Sequence, residues 1–432
     1  MRIKLLILFL LPGIWGQLAA QERLTLSLKE ARQTALEYNK TMTNADLARD
    51  KATFAVREAI ANGLPQVNAT ADYSNALGAK MSIRFSEDMP ASEIEIKPQS
   101  SFNLNVNQLI FNGNYLVGIQ IAKLYDRLAD MSYEKSALDI TTQVTDGYHL
   151  VLVSEELLGL LNQNLTNLEA LHDKTSALVT FGIIEQTDLD QLTVQVNTLK
   201  NAVRSSERQL ELATNMLRLQ LGVSVDTEIE LTETVEQMIA YAESETLPDL
   251  SFKPENQIDF RMLSQQELVS RKMINMEKAG ALPTLAGFYS YTYKILKPDF
   301  DVAPANIVGL QLNIPIFAGG LRSSKIKQAR IDLETTRNNM ELLSDQLKIQ
   351  EKQLRFNYSS ALETYNNQKE NVEVSRRVYS SLKLKYEQGV ISGLDLITAD
   401  NNYVKAETDY ISAMLQVLQS SVQLQKLYGN LN

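Results

Sequence analysis

Cysteine is absent from all 432 residues. Disulfides, thiolate metal centres, cysteine nucleophiles and a lipid-bearing N-terminal cysteine are thereby excluded. Histidine is nearly as scarce, with only His149 and His172. That leaves little for a zinc site or a Ser-His-Asp triad, so no catalytic, cofactor-binding or metal-ligating set is predicted. The 18 glycines and 10 prolines are too few to interrupt the chain often, and long unbroken helices are expected. After the N-terminus no run of 18 or more apolar residues occurs, which excludes a polytopic helical membrane protein. Basic residues are outnumbered, 42 Lys and Arg against 52 Asp and Glu, for a net charge of −10. Nucleic acid is therefore not an expected partner.

Residues 1–20 read as a secretion signal. Arg2 and Lys4 form a positive start, Leu5 to Leu11 an apolar stretch, and Leu18-Ala19-Ala20 a cleavage site with an imperfect Leu18. The apolar stretch is too short to span a bilayer. The mature chain is expected to begin near Gln21.

The rest of the chain repeats itself. Phe111-Asn112-Gly113 recurs as Phe317-Ala318-Gly319, Gly182-Ile183-Ile184 as Gly389-Val390-Ile391, Asp188-Leu189 as Asp395-Leu396, and Leu221-Gly222 as Tyr428-Gly429. Several matches in one register indicate an internal duplication. The first repeat is placed at 21–222, an acidic connector at 223–260, and the second repeat at 261–429.

Within each repeat a heptad stripe predicts long helices. Ile326, Leu333, Met340, Leu347 and Leu354 are seven apart; the stripe jumps four residues to Tyr358 and resumes at Tyr365, Val372, Tyr379 and Tyr386. Such a stutter locally unwinds a supercoil and suits nearly straight helices side by side. The segment 320–388 would be about 100 Å long at 1.5 Å per residue. Returning helices carry Val196, Val203, Leu210 and Leu217 in one repeat and Tyr403, Tyr410, Val417 and Leu424 in the other. Two antiparallel hairpins are thus expected, over 114–221 and 320–428. Gly182 and Gly389 suit helix stops, and Asp188 and Asp395 suit the N-caps of the returning helices. His172, on the stripe at the position matching Tyr379, is read as a packing residue.

Ahead of each hairpin the period changes to two. Val67, Ala69, Ala71 and Tyr73 alternate with polar residues, as do Phe102, Leu104 and Val106, then Leu285, Tyr289, Tyr291 and Tyr293, then Val308, Leu310 and Leu312. Strands are expected at about 65–75, 100–111, 283–295 and 305–317, each with one apolar and one polar face. Such strands fit an outer-membrane barrel. Four cannot enclose a wet interior, since about eight already fill with side chains, and an open edge in lipid leaves backbone groups unpaired. Several chains must then share one barrel, with Tyr289, Tyr291, Tyr293 and Phe102 toward lipid or its interface and Asn103, Asn105, Asn107, Gln311 and Asn313 toward water. The loop from 75 to 99 reads as polar. The connector, with eight acidic and no basic residues between Asp226 and Asp249, reads as a solvated link or, alternatively, a docking collar. Ser27 and Glu30 form a capping box.

The Leu-Ser-Leu-x-Glu-Ala opening (Leu26 to Ala31), the Leu-Pro leads into the strand pairs (Leu64-Pro65, Leu282-Pro283), the Phe-x-Gly exits and the Gly-x-x-x-x-x-Asp-Leu tips occur in this order and twice over where duplicated. In this the chain resembles the TolC family of trimeric outer-membrane efflux proteins. The resemblance implies a mainly α fold with a membrane β-barrel: duplicated antiparallel helical hairpins forming an α-helical tunnel, with four strands per chain in a shared 12-stranded barrel. It implies a homotrimer in the outer membrane of a Gram-negative bacterium, with a long periplasmic extension. It also implies a periplasmic adaptor, an inner-membrane transporter and outer-membrane lipid as partners, with no cofactor. Asn39-Lys40 replaces the family's Asn-Pro and loosens the helix break expected there. Thr398 stands where some relatives carry a further Asp.

Three functions fit these features unequally. A passive export duct of a tripartite efflux or type I secretion system requires no catalytic residues. A structural coiled coil of the envelope explains the heptads but not the alternating strands. An envelope enzyme is disfavoured by the shortage of histidine. For a duct, Asp188, Asp395 and neighbouring Thr187 are the candidate periplasmic gate, because in a trimer up to six carboxylates would ring the narrow end and favour cations. Asp190 and Asp400 are turned off that face. Gly182, Gly389 and Gly393 mark the helical tips where the adaptor would dock.

Overall fold

The structure is a computed structural model and describes residues 23–84, 92–244, 252–297 and 303–431. The expected signal peptide, residues 245–251 of the acidic connector, residues 85–91 of the loop joining the first strand pair and residues 298–302 of the loop joining the second lie outside the described residues. In chain order the elements are β1 (Arg23–Leu26), α1 (Leu28–Tyr38), α2 (Lys40–Ala61), β2 (Gln66–Ser74), β3 (Lys80–Ile83), β4 (Ser92–Glu95), β5 (Gln99–Phe111), α3 (Gly113–Thr180), α4 (Gln186–Leu221), β6 (Glu228–Leu231), α5 (Val235–Ser244), α6 (Ile258–Ala279), β7 (Thr284–Leu296), β8 (Asn306–Asn313), α7 (Leu321–Glu387) and α8 (Gly393–Tyr428). The scarcity of Gly and Pro is expressed directly: α3 and α7 run 68 and 67 residues without interruption, and α4 and α8 have 36 each.

Two compact units divide the chain. One comprises Met1–Thr43, Ser136–Phe252 and Ile349–Asn432, the other Asn44–Lys135 and Lys253–Lys348.

In the first unit Val196, Val203 and Tyr386 of the heptad stripes enter the core together with apolar residues between the stripe positions. Leu161, Leu168 and Leu171 of α3, Leu192, Val196, Leu199 and Val203 of α4, Tyr386 of α7, and Leu396 and Ile397 of α8 make one buried cluster. Both hairpins therefore share an interior, and each buried Leu contributes about 1.5–3 kcal/mol through removal from water. Tyr365 stacks on Tyr410, and Tyr379 on Tyr403, with ring centroids 5.4 and 5.6 Å apart. His172 keeps its ring partly exposed and hydrogen-bonds Thr193 at 3.2 Å. His149 is the buried histidine; burial, with the Arg32 charge, lowers its pKa to about 4.

The connector is folded where it is described. β6 pairs in parallel with β1, Arg23 bridges Glu230 at 3.0 Å, and Val235, Ile239 and Ala242 of α5 are buried. Glu233 receives the Leu28 amide at the start of α1 and the Tyr148 hydroxyl. The carboxylates here thus alternate with apolar residues that anchor the segment, rather than forming only a solvated link. The chain breaks between α1 and α2 without the proline. Asn39 takes an extended ψ of 130°, its amide donates to the Gln220 carbonyl at 2.7 Å, and its Oδ1 accepts from Thr41 N at 2.7 Å.

In the second unit a four-stranded sheet has the order β2-β5-β7-β8, with every neighbouring pair antiparallel. β8 stops at Asn313, short of the 317 expected from sequence, because Pro315 has no amide for a ladder. The loop read as merely polar contains the β3–β4 hairpin. On the helical side, Glu267 of α6 accepts from Arg271 at 2.9 Å and Arg337 at 2.8 Å, and Arg261 clasps Glu134.

Candidate functional site

The sheet register sorts side chains by face, since alternate residues of a strand point oppositely. Val67, Ala69, Ala71 and Tyr73 of β2 pair with Val106, Leu104, Phe102 and Ser100 of β5. Phe102, Leu104 and Val106 pair in turn with Tyr293, Tyr291 and Tyr289 of β7, and Tyr289 with Val308 of β8. The opposite face is polar. Its rows are Asn68, Asn105 and Ser290, then Thr70, Asn103 and Thr292. Ser290 Oγ donates to Asn105 Oδ1 at 2.7 Å, Thr292 Oγ1 donates to Asn103 Oδ1 at 2.8 Å, and Asn103 Nδ2 donates to Asp72 Oδ2 at 2.9 Å. Gln311 and Asn313, opposite Ala286 and Thr284, share this face. The sheet thus has one apolar, tyrosine-bearing surface and one that is hydrogen-bonded and wettable.

Among the described residues neither edge of this sheet carries a further strand. Every residue of β2 is exposed, and all but one of β8. Three successive antiparallel steps make the two edges antiparallel to each other. Each presents unpaired backbone groups, which favours addition of a further strand.

At the tips of the first unit, Gly182 and Gly389 both have φ of 72°, the left-handed value that spares glycine a steric cost. Each closes its helix with a doubled turn: Ile183 N reaches Leu178 O at 3.0 Å and Gly182 N reaches Val179 O at 2.9 Å, while Val390 N reaches Lys385 O and Gly389 N reaches Tyr386 O, both at 2.9 Å. These are Schellman closures. Around them Phe181, Ile183, Val390 and Leu394 are 79, 69, 67 and 59% exposed.

The aspartates are not N-caps, contrary to the expectation from spacing. Glu185 caps α4 without a side-chain hydrogen bond, and Ser392 caps α8. Both aspartates stand three residues further on, in the first helical turn, where a carboxylate meets free amides and the positive end of the helix dipole. Their surroundings differ. Asp395 is exposed and completes a capping box: Ser392 Oγ accepts from Asp395 N at 3.3 Å, and Asp395 Oδ2 accepts from Ser392 N at 3.3 Å and from Ser392 Oγ at 2.8 Å. Asp188 is half-buried and lies against Gly393, where a Cβ would come within 2.8 Å of its Oδ1. It also faces Tyr386. Burial raises the Tyr386 phenol above its ordinary 10, a hydrogen bond with Thr175 opposes this, and the Asp188 charge adds to the rise. Gly393 is thus the close-approach point between the hairpins, buried against Asp188 rather than displayed with Gly182 and Gly389. Thr187 donates to Glu185 Oε2 at 3.2 Å, and Asp190 accepts from Gln186 at 2.8 Å.

Asp400 is turned into the hairpin, 7% exposed. It hydrogen-bonds Tyr379, and its Oδ2 has no partner among the described residues. Below it Glu407 receives Asn164 Nδ2 at 3.0 Å and lies 3.7 Å from Arg376, whose Nε donates to the Tyr403 hydroxyl at 3.2 Å. Nothing in the sequence pattern marks Asp400 as buried, because an acidic residue about two turns into a helix that begins at Gly393 ordinarily faces water. No helix among the described residues is long and apolar enough to cross a membrane.

The family described as "Outer membrane efflux protein" matches residues 31–223 and 254–430. The outer membrane protein TolC of Escherichia coli (strain K12) is 21% identical over 440 residues, covering 97% of this chain and 84% of its own. Among solved structures, CusC superposes with a TM-score of 0.74 at 14% identity, covering 93% of this chain and 91% of its own. The CmeC outer membrane channel of Campylobacter jejuni gives 0.74 at 13% identity, covering 93% and 85%. Helical hairpins, two-faced sheet and duplicated tips are therefore the parts of one known architecture, and the chain belongs to the outer membrane efflux protein family, as an outer-membrane efflux channel.

Proposed function

We propose that the chain works as a homotrimer that passively passes cargo out of the cell, receiving it from an inner-membrane transporter through a periplasmic adaptor. The observation that carries this reading is the sheet: four strands, one apolar and one wettable face, and two open edges antiparallel to each other. β8 of one copy can add β2 of the next without reversing direction. Three copies then close an even-stranded barrel with Tyr289 and Tyr293 toward lipid and the Asn103–Asn105 rows toward water. Because the chain contains no native cysteine, paired cysteines test this cleanly. Cysteines scanned along Val308 and Leu310 of β8 against Val67, Ala69 and Ala71 of β2 should give covalent dimers and trimers on oxidation. Monomers at every pairing would refute the shared barrel.

The tips of the first unit meet the adaptor. Asp188, with Thr187 beside it, and Asp395 form the gate, and Gly182 and Gly389 shape the surface on which the adaptor docks, with Gly393 behind it holding the close contact to Asp188. The exposed Phe181, Ile183, Val390 and Leu394 support this, since apolar side chains in water favour burial against a partner. Bulky replacements at Gly182 or Gly389 should abolish export while trimers persist; full export from both variants would refute the docking role.

A further inference from the structure

The polar face of the sheet carries an apolar patch at the end nearest the helices. Phe288 of β7 lies between Asn107 of β5 and Gly309 of β8. Alternation places it on the same face as Ser290, Thr292 and the asparagine rows. Leu109 and Ala286 occupy the next row toward the helices, and Ile307, diagonal to Phe288, is 45% exposed. The ring does not stand away from the wall. A Cβ at Gly309 would meet Phe288 Cζ at 2.6 Å, Cε1 at 2.7 Å and Cε2 at 3.4 Å. The far atoms of the ring therefore reach across to the neighbouring backbone, and glycine is the residue that leaves room for them. A ring laid flat along a wall turns one π-face outward. Acceptor and donor groups of Asn107 and Ser290 border it.

We infer that Phe288 is a stacking station for planar aromatic cargo in the channel wall, repeated three times around the lumen of a trimer. The inference rests on the shared-barrel reading, which puts the polar face toward the lumen. A flat π-face attracts flat aromatic molecules by offset stacking and cations by charge–quadrupole attraction, and the amide side chains beside it can hydrogen-bond the substituents of such a molecule. A ring that only covers an edge-strand glycine is the competing role. The two roles differ in what a leucine would do: it fills the space over Gly309 and offers no π-face.

The test uses full-length trimers in planar bilayers, with ethidium as a planar aromatic cation and tetraethylammonium as a cation without a ring. Ethidium is expected to block the wild-type current at lower concentration than tetraethylammonium. Its half-blocking concentration should rise about tenfold in both Phe288→Ala and Phe288→Leu, in keeping with the worth of a single stacking contact, and stay near wild type in Phe288→Tyr. Tetraethylammonium block should be alike in all four proteins. Ethidium block unchanged in Phe288→Leu, or both cations weakened in parallel, would overturn the stacking role while leaving the channel intact. Wild-type trimers that carry no current would overturn the channel reading together with it.

Discussion

Replacing Asp400 by Asn should remove part of the pH dependence of the helical hairpin's stability. Burial is the largest influence on this carboxyl and raises its pKa from the ordinary 3.8 to about 6; the Tyr379 hydrogen bond and Lys383 oppose the rise, and Glu407 adds to it. The folded protein thus holds this proton more tightly than the unfolded chain. Stability from this group is gained as pH falls from about 6 to about 4, and above 6 the buried charge weighs against folding. The difference between about 6 and 3.8 corresponds to about 3 kcal/mol. Asparagine has no charge to bury, although its amide at the unpartnered Oδ2 position costs about 1–3 kcal/mol at every pH. The quantity to measure is therefore the stability difference between variant and wild type, from denaturant unfolding of the helical signal in detergent at pH 7.5 and pH 4. Because the unfolded carboxyl is itself partly protonated at pH 4, this difference should shift by about 2 kcal/mol in favour of the variant at the higher pH. His149 and Asp146 titrate alike in both proteins and cancel. The same difference at the two pH values would refute the burial argument.

Further outcomes follow from the tips and the helix junctions. Ser392→Ala should lower stability by about 1 kcal/mol by removing a capping box, whereas Glu185→Ala, whose side chain makes no capping bond, should leave thermal unfolding unchanged. Gly222→Ala should prevent assembly or cost about 2 kcal/mol or more, because φ is 76° and the new Cβ would meet the Tyr38 carbonyl at 2.4 Å; a trimer yield and melting temperature like wild type would contradict this. The double variant Asp188→Asn, Asp395→Asn should form trimers with weaker cation selectivity, read from reversal potentials in a salt gradient; unchanged selectivity would place the constriction elsewhere.

The larger elements were legible because each rests on a long periodic signal. Heptads such as Ile326 to Leu354 and their stutter at Tyr358 fall within one unbroken helix, α7, and the alternation around Val67 and Phe102 falls within paired strands. Shorter features depended on contacts between distant segments. The spacing from Gly182 to Asp188 suggested an N-cap, but the helix begins two residues earlier, so the aspartate enters the first turn. The acidity of the connector masked the alternation of Glu228, Ile229, Glu230 and Leu231, which pairs with β1. The β3–β4 hairpin is only four residues a side, too short to stand out within a polar loop. Asp188 against Gly393, and Phe288 over Gly309, are matched across more than 20 residues or across strands, and no local pattern announces them.

Single-channel recording tests the central claim most directly. Purified full-length protein added to a planar lipid bilayer should insert as trimers and give long-lived conductance steps of uniform size, cation-selective and blocked by divalent cations. Folded trimers that bind the bilayer yet produce no steps would contradict the account.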